Sequence, residues 1–437
     1  MRSMRSWNAI GIPGAGLAIL VLWACGSGDP AEPSETPHAP TAPEHTARPA
    51  TPDELPSGIV LSLAQFVEVA GKSVPGPARL EFLYRKGGVW RTSALEDPAS
   101  NVFHKAMTVP ADDGPRLLTL GGSAAIVKTW KMRGGALEGT VLWQKDFGGK
   151  FSRMRDAEVA DLYGDGTNAI AVATHDQGVV AVLRPSADGF SVTELDTQPD
   201  IFVHEVEVGD LDRDGVLEVY ATPSEPNRLE GGRAQSGQVV RYVPAAGEGR
   251  VVVADLGDRH AKEILVDDVD GDGTDELYVS VEGHVNEAKE LVYPVEIRRY
   301  DAGTPAAGGA VIASIDDRLT RFLTAGDVDG DGRNELIAAA FSSGLWLLRP
   351  GADPKAPWTV ESIDKNSAGF EHAAILADLD GDGTDELYVA SDRHKEVRRY
   401  VWDGRKLARE VIYVRPDDRP IFTWNLMPMP RELIPGA

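Results

Sequence analysis

One acidic loop recurs five times in this 437-residue chain and constrains its fold more than any other feature. The copies are DLYGDGTNA from Asp161, DLDRDGVLE from Asp210, DVDGDGTDE from Asp268, DVDGDGRNE from Asp327 and DLDGDGTDE from Asp378. They start about 50 to 60 residues apart, a period typical of repeat architectures. A degenerate copy, VPADDGPRL from Val109, has lost most of its acids. The sequence therefore predicts a fold built from repeated units.

Short apolar runs flank each loop, such as HEVEVG before Asp210 and VYATP after Glu218. This alternation predicts strand, acidic turn, strand, without helical periodicity. A second family of strands follows each loop and ends in basic or aromatic residues. A four-stranded unit of roughly 54 residues is typical of a propeller blade, and residues 60–437 have room for about seven. We predict an all-β fold, a seven-bladed β-propeller.

The two ends of the repeat region are each incomplete. The first outer hairpin, at Leu80, has no acidic loop before it, and the C-terminal segment IFTWNLMPMPRELI has no hairpin after it. We expect these segments to share one blade and close the ring, which leaves no sheet edge exposed. The propeller would span residues 58–437. Six blades, or eight if residues 58–70 form extra strands, are the alternatives.

The loops carry the pattern of a calcium site. In four copies, carboxylates stand at loop positions 1, 3, 5 and 9 with glycine at 6, and the backbone carbonyl at 7 would complete the six or more oxygens that calcium prefers. Magnesium demands a stricter octahedron. The predicted ligands are Asp210, Asp212, Asp214, Val216 and Glu218; Asp268, Asp270, Asp272, Thr274 and Glu276; Asp327, Asp329, Asp331, Arg333 and Glu335; and Asp378, Asp380, Asp382, Thr384 and Glu386.

The Asp161 copy is weaker than the other four. Tyr163 and Ala169 replace two of its acids and leave only Asp161 and Asp165, so a fifth site stays undecided. The copy at Val109 should bind no metal. The alternative for every loop is a solvated acidic turn, but sixteen carboxylates in four tight loops would repel one another without counter-charge.

These loops resemble the calcium sites of FG-GAP or VCBS repeats, the units of the integrin α-subunit propeller and of many bacterial surface proteins. The resemblance covers roughly residues 100–400. It implies that each loop joins the first two strands of a blade and that the metal is structural.

A basic position precedes each loop. Counting back from position 1, the second and fourth residues are apolar, and the sixth continues that face of the strand. The sixth residues are Arg155, His204, Lys262, Arg321 and His372. We expect them to form a basic collar at the other mouth of the channel, where it could bind a uronate, phosphate or carboxylate. Alternatively, they pair with acids on neighbouring blades, such as Glu158, Glu205, Glu207 or Glu263.

The N-terminal segment predicts export and a lipid anchor. Arg2 and Arg5 precede an apolar stretch that ends at Cys25, the only cysteine, and the stretch is short for a membrane span. The segment Leu22-Trp23-Ala24-Cys25 resembles the lipobox of bacterial lipoproteins. We predict a signal peptide (1–24), then a lipidated Cys25 with a proline-rich tether (25–57). A plain secretory signal is the alternative. The anchor implies an extracytoplasmic protein on the outer membrane or cell surface rather than the inner membrane, touching the membrane through lipid only.

Composition and missing motifs limit the function. With 68 acidic residues against 44 Lys and Arg, the net charge of −24 argues against nucleic-acid binding. No GxSxG, HExxH or CxxC motif occurs, so no catalytic residue is assigned. We expect a binding or adhesion module for a protein or glycan ligand. If the ligand binds at the basic collar, it should be anionic. A carbohydrate-active enzyme, a polysaccharide lyase or hydrolase acting at the basic mouth, is the main alternative. A scaffold in an envelope complex is the third.

Overall fold

The computed structural model describes residues 51–122, 125–147, 152–175, 177–187, 189–198, 201–225, 236–416 and 419–437. All of them lie in the compact unit Ala47–Ala437. The predicted signal peptide, Cys25 and the tether up to residue 50 lie outside the described residues. None of the described helices has the length and apolar character that a membrane span requires.

The fold is all-β, and the described residues include two short 3-10 helices, Asp392–His394 and Arg431–Leu433. The first four blades are formed in chain order by β1 (Ser57–Val69), β2 (Lys72–Pro75), β3 (Ala78–Lys86), β4 (Val89–Asp97), β5 (Phe103–Val109), β6 (Arg116–Gly121), β7 (Ile126–Arg133), β8 (Ala136–Gln144), β9 (Arg153–Ala160), β10 (Ala169–His175), β11 (Val179–Ser186), β12 (Gly189–Thr197), β13 (Phe202–Gly209), β14 (Glu218–Glu225), β15 (Gly237–Val243) and β16 (Glu248–Gly257).

The remaining strands are β17 (Ala261–Asp267), β18 (Glu276–Val281), β19 (His284–Val285), β20 (Leu291–Tyr293), β21 (Val295–Tyr300), β22 (Ala310–Ile315), β23 (Thr320–Gly326), β24 (Glu335–Ala340), β25 (Leu345–Arg349), β26 (Thr359–Asp364), β27 (Ala374–Ala377), β28 (Glu386–Ser391), β29 (Glu396–Trp402), β30 (Leu407–Val414) and β31 (Ile421–Pro430). Blades 2 to 7 begin with β5, β9, β13, β17, β23 and β27, and each is a four-stranded antiparallel sheet in chain order. In blade 5, β19 and β20 form a separate hairpin.

Blade 1 is built from both ends of the described chain. β31 pairs antiparallel with β1, with Ser57 opposite Pro430 and Gln65 opposite Ile421. The sheet order is β31, β1, β3, β4, and β2 extends β1 as a small hairpin. The predicted seven blades and shared terminal blade are confirmed. Residues 58–70 supply β1 and its turn rather than an eighth blade.

The innermost strands surround the channel, since β31 and the first strands of blades 2 to 7 contact one another around the ring. Within the described ranges, one edge of each innermost strand has no strand partner, and side chains of the preceding blade accept hydrogen bonds from some of its N–H groups. Asp156 accepts from Val206 N–H at 2.9 Å, and Glu263 accepts from Leu323 N–H at 3.0 Å. These carboxylates accept hydrogen bonds from buried backbone N–H groups that would destabilise the fold if they were left unpaired.

Apolar side chains fill the space between blades. Val182 of blade 3, for example, packs in one cluster with Val206 and Val219 of blade 4. Toward the outside, the Tyr242 hydroxyl donates to Asp196 of the preceding blade at 2.7 Å. The predicted apolar positions two and four residues before each loop thus supply the contacts that hold blades together.

Candidate functional site

Five acidic loops follow the innermost strands of blades 3 to 7, so they share one rim of the ring, the loop rim. The position-1 aspartate folds each loop. Asp268 accepts hydrogen bonds from the N–H groups of Asp272 and Gly273 at 2.9 and 2.8 Å, and the other four loops repeat the pattern. The position-5 aspartate accepts from the N–H group at position 7, which belongs to Val216, Thr274, Arg333 and Thr384 in the four full copies.

Two loop positions require left-handed backbone. Position 6 is glycine in all five loops, with φ of 85° at Gly273. Position 4 is also left-handed, and it is glycine everywhere except at Arg213, whose φ is 57°. The left-handed region costs a side chain with a Cβ roughly 1 kcal/mol or more, so Arg213 is locally strained.

Carboxylate oxygens converge in the four full loops. Within each group, one oxygen per residue lies within 4.8 Å of the others, and the groups are Asp210, Asp212 and Asp214; Asp268, Asp270, Asp272 and Glu276; Asp327, Asp329 and Glu335; and Asp378, Asp380 and Asp382. Oxygens on opposite sides of a calcium ion lie roughly 5 Å apart, because each Ca–O distance is about 2.4 Å. Of the other predicted carboxylate ligands, Glu218, Asp331 and Glu386 lie outside these groups.

An arginine on the third strand of the blade clamps each full loop, a contact that the sequence did not assign. Arg299 Nη1 lies 2.7 Å from Asp270, and its Nη2 lies 3.0 Å from Glu276. The equivalent arginines, each within 3.9 Å of the position-3 and position-9 carboxylates of its own loop, are Arg241, Arg349 and Arg399. The carboxylates of these loops would repel one another without positive charge nearby. The guanidinium groups supply part of that charge, so metal ions are not its sole source.

The position-9 glutamates connect loop to sheet. All four are at most 2% exposed. Glu276 accepts a hydrogen bond from the Tyr278 hydroxyl at 2.9 Å, and its other oxygen forms an ion pair with Arg299. Burial raises the pKa of Glu276 to about 8 and that of Glu335 to about 7, although the arginines act in the opposite direction. The position-9 glutamate therefore links the loop to the sheet. In the Asp268 and Asp327 loops it also belongs to the group of converging oxygens.

The donor set fits a hard divalent cation. Every converging atom is a carboxylate oxygen, which calcium prefers over nitrogen or sulfur. In the Asp327 loop, Asp329 Oδ1 is buried and has no hydrogen-bond partner among the described residues. A cation at the centre of the group would contact such an oxygen.

The Asp161 loop is built differently. Arg184 pairs with Asp165 and lies 4.4 Å from the ring centroid of Tyr163, which replaces the position-3 aspartate. Within the described part of the chain, no group of three converging acids occurs in this loop or in the turn after Val109.

The predicted basic collar is not one charged ring. Arg155 and Arg321 converge from blades 3 and 6 on Glu371, with N–O distances of 4.0 and 3.6 Å. Lys262 lies 3.9 Å from Glu282. Two collar residues thus meet at one carboxylate, which is not among the acids that the sequence offered as partners.

The two collar histidines are buried. His204 packs edge-on against the rings of His175 and Phe202. His372 is fully buried, with Nδ1 2.8 Å from the Ala340 carbonyl and Nε2 2.8 Å from Ser367 Oγ. Burial lowers the pKa of His372 to about 4, so its ring is neutral near pH 7. The expectation that His372 adds positive charge to the mouth is wrong.

Acids line the channel below the collar. Lys105 Nζ lies 2.9 Å from Asp156 and 2.5 Å from Glu158. Burial raises the pKa of Glu205 well above its ordinary value, and it raises that of Glu263 to about 8. Lys105 is the cation that pairs with Asp156 and Glu158, and the collar residue Arg155 also favours the ionised forms of Glu205 and Glu263.

Aromatic rings surround Glu371 at the rim opposite the loops, where the innermost strands begin. Phe370 is 45% exposed, and its ring centroid lies 5.2 Å from that of Phe422 and 6.1 Å from that of Trp424. The Arg155 guanidinium lies 5.5 Å from the Trp424 ring, and that of Arg321 lies 5.3 Å from Phe370. We call Arg155, Arg321, Phe370, Glu371, Phe422 and Trp424 the channel mouth. The aromatic part of the mouth follows no repeat pattern in the sequence, because Phe370 precedes a strand and Trp424 lies in the terminal segment.

Comparisons with known proteins agree with this architecture. Residues 327–389 match the FG-GAP-like repeat family. No curated protein sequence matches the chain. Among solved structures, a protein described as a 6-phosphogluconolactonase from Bacteroides uniformis is 13% identical with a TM-score of 0.51, and the alignment covers 86% of this chain and 100% of that one. A protein described in the same way from Bacteroides fragilis has the same identity and TM-score, with 87% and 100% covered.

A third structure, the periplasmic gluconolactonase of Pseudomonas aeruginosa, is 14% identical with a TM-score of 0.49, and the alignment covers 84% of this chain and 99% of that one. At such identities the likeness shows the fold alone. Together, the ring geometry and the matched repeat lead to one assignment: the chain is a seven-bladed β-propeller that carries an FG-GAP-like repeat.

Proposed function

We propose that this protein is a calcium-stabilised propeller that acts as a binding module for a glycan or protein outside the cytoplasm. The observation that carries the proposal is the division of the ring into two rims. Four groups of converging carboxylates lie on the loop rim, and three aromatic rings, of which Phe370 is exposed, lie with two arginines at the channel mouth. The first rim suits structural metal ions, and the second suits a ligand.

Calcium would stabilise loops that already have their fold. Backbone N–H groups hold the position-1 and position-5 aspartates in place, so little ordering entropy remains for the ion to offset. In the Asp268 loop, for example, the four predicted carboxyl ligands are set against the single guanidinium of Arg299. A divalent cation would reduce this excess of negative charge where the oxygens converge.

Thermal unfolding of the intact chain in excess calcium, excess magnesium and chelator tests the calcium assignment. An ion that binds only the folded state stabilises it by about 2.7 kcal/mol per site at a hundred times its Kd, so four sites should raise the midpoint strongly. Asp272→Asn should remove one site's share of the shift. Asp165→Asn in the degenerate loop is the matched control and should leave the shift unchanged. An equal midpoint in calcium and chelator would contradict the assignment.

We also propose that Cys25 carries the lipid that holds the protein at a bacterial membrane, on the outer membrane or cell surface. The lipobox-like segment and the use of the only cysteine at this position support it. Metabolic labelling with an alkyne fatty acid should mark the wild type and leave Cys25→Ser unlabelled. Equal labelling of both chains would refute lipidation at this residue.

A carbohydrate-active enzyme is the second candidate. It is favoured by the buried channel carboxyls, because a carboxyl group with a raised pKa can act as a general acid near neutral pH, and Glu263 has such a pKa. The gluconolactonase structures share the fold and nothing finer. Release of new sugar ends from a polysaccharide panel, lost in Glu263→Gln, would favour this candidate over a pure binding module.

A further inference from the structure

Residues 367–373 form a segment that projects two side chains into the channel mouth. The buried His372 anchors this segment through its bonds to Ala340 and Ser367, and its backbone is left-handed with φ of 56°. The two preceding residues, Phe370 and Glu371, are thereby placed at the mouth beside Arg321. His372 is thus a positioning residue.

Glu371 is held loosely for a buried carboxylate. It is 3% exposed, yet its nearest contacts with Arg155 and Arg321 are 4.0 and 3.6 Å, beyond hydrogen-bond distance. Among the described residues, no hydrogen bond to its carboxylate accompanies these ion pairs. Arg321 is itself nine-tenths buried, and its Nε has no hydrogen-bond partner in the described part of the chain. Arginine binds carboxylates best through two parallel short bonds, so this arrangement leaves binding capacity unused.

The rings beside this pair offer apolar faces. Phe370 is largely accessible, and Phe422 and Trp424 are half-buried beside it. Trp424 Nε1 adds a buried donor without a hydrogen-bond partner among the described residues. A ligand that suits this surface must have a flat apolar face, several acceptor oxygens and a negative charge. Pyranose rings have C–H faces and hydroxyl oxygens, and a uronic acid adds the carboxylate.

We propose that the channel mouth binds a uronic-acid unit of an acidic polysaccharide, whose carboxylate takes the place of Glu371 between Arg155 and Arg321 while its ring packs on Phe370 and Trp424. Glu371 then acts as an internal competitor for the two guanidinium groups. When the Glu371 side chain leaves its place between the arginines, both become accessible to the ligand, and only the segment 367–373 moves. This inference rests on the proposed binding role.

Calorimetric titration of the intact, calcium-saturated chain with trigalacturonate tests the site. The fully methyl-esterified trisaccharide is the matched probe, since it keeps the rings and loses the charge. We expect the wild type to bind trigalacturonate at least tenfold more tightly than the ester. Equal affinity for the two, or no binding of trigalacturonate by either the wild type or Glu371→Gln, overturns the inference.

Variants separate the role of each group. Glu371→Gln removes the competing charge at constant size and should tighten binding at least fivefold. Arg321→Ala and Phe370→Ala should each weaken it at least tenfold. Arg318→Ala is the control, because Arg318 stacks on Phe341 at 4.3 Å on the same rim without an ion pair to Glu371 in the described residues, and its affinity should stay within twofold.

Two results in the variants would refute the proposed geometry: unchanged affinity in Glu371→Gln, or wild-type affinity in Phe370→Ala. The affinity of Phe370→Ala can be measured even if Arg321→Ala fails to fold, because Phe370 is exposed and its loss leaves the core intact. The test is separate from that of calcium. A calcium-stabilised chain that ignores trigalacturonate refutes only this inference, and uronate binding without a calcium-dependent midpoint refutes only the calcium assignment.

Discussion

Replacement of Arg299 by methionine tests the clamp that joins an acidic loop to its blade. The Arg299 side chain is 2% exposed, and its guanidinium contacts Asp270, Glu276 and Asp301 at 2.7, 3.0 and 2.7 Å. Methionine keeps most of the stem and leaves Glu276, which is 1% exposed, without its cation. Removing one partner of a buried ion pair typically costs about 3 to 5 kcal/mol. We expect a loss of that size in chelator at a pH above 8, the pKa that burial gives Glu276, because the group is then ionised.

Equilibrium unfolding in urea, followed by tryptophan fluorescence, measures this loss. The matched control is Arg298→Met on the same strand, because Arg298 pairs with Glu296 in a more accessible position and its loss should cost about 1 kcal/mol or less. Adding Glu276→Gln to Arg299→Met should recover part of the stability, since no buried carboxylate then lacks a partner. A loss for Arg299→Met no larger than that for Arg298→Met would refute the role of Arg299 as a clamp.

Three further changes probe other parts of the ring. Burial raises the pKa of Glu263 from its ordinary value of 4.5 to about 8, so its stabilising effect is complete below pH 4.5 and is lost as the pH rises toward 8, by up to about 1.4 kcal/mol per pH unit. Glu263→Gln keeps an acceptor for Leu323 N–H and should flatten the unfolding free energy between pH 5.5 and 7.5; an unchanged slope would exclude this role. Arg213→Gly should raise the unfolding free energy by about 1 kcal/mol through relief of its positive φ, and a lower midpoint would contradict that strain. Deletion of residues 421–437 removes β31 and should abolish the sharp thermal transition, whereas a retained wild-type midpoint would show that closure is dispensable.

The repeat alone was sufficient to predict the fold, because each acidic loop marks one strand pair and the loop spacing sets the size of a blade. The arginine clamps were not predictable from a fixed offset. Arg299 lies opposite Tyr278 on the adjacent strand, and this pairing places it diagonal to Glu276. In blade 6, Leu348 lies opposite Leu336, so Arg349 lies directly opposite Glu335. Relative to its glutamate, Arg349 is thus two residues further along the third strand than Arg299 is. Only the paired register reveals that both arginines reach equivalent acids.

The collar prediction extended strict alternation too far along the strands. The register shifts between Val203 and Val206 in β13 and between Thr320 and Phe322 in β23. Such irregularities change which face a side chain joins, so the sixth residue before the loop need not share the face of the second and fourth. In blade 7 the strand begins only at Ala374, after the predicted collar residue. The mouth combines two of the predicted collar residues, Arg155 and Arg321, with the segment before β27 and with β31.

The rim at which the chain enters the ring bears on the proposed lipid anchor. Thr51 Oγ1 accepts a 2.8 Å hydrogen bond from Arg399, the clamp of the Asp378 loop, so the chain enters the ring on the loop rim. Phe422 and Trp424 lie at the other end of β31. With the proposed anchor upstream of residue 51, tension along the tether would draw the loop rim toward the bilayer. The channel mouth would then point outward, toward whatever approaches the cell.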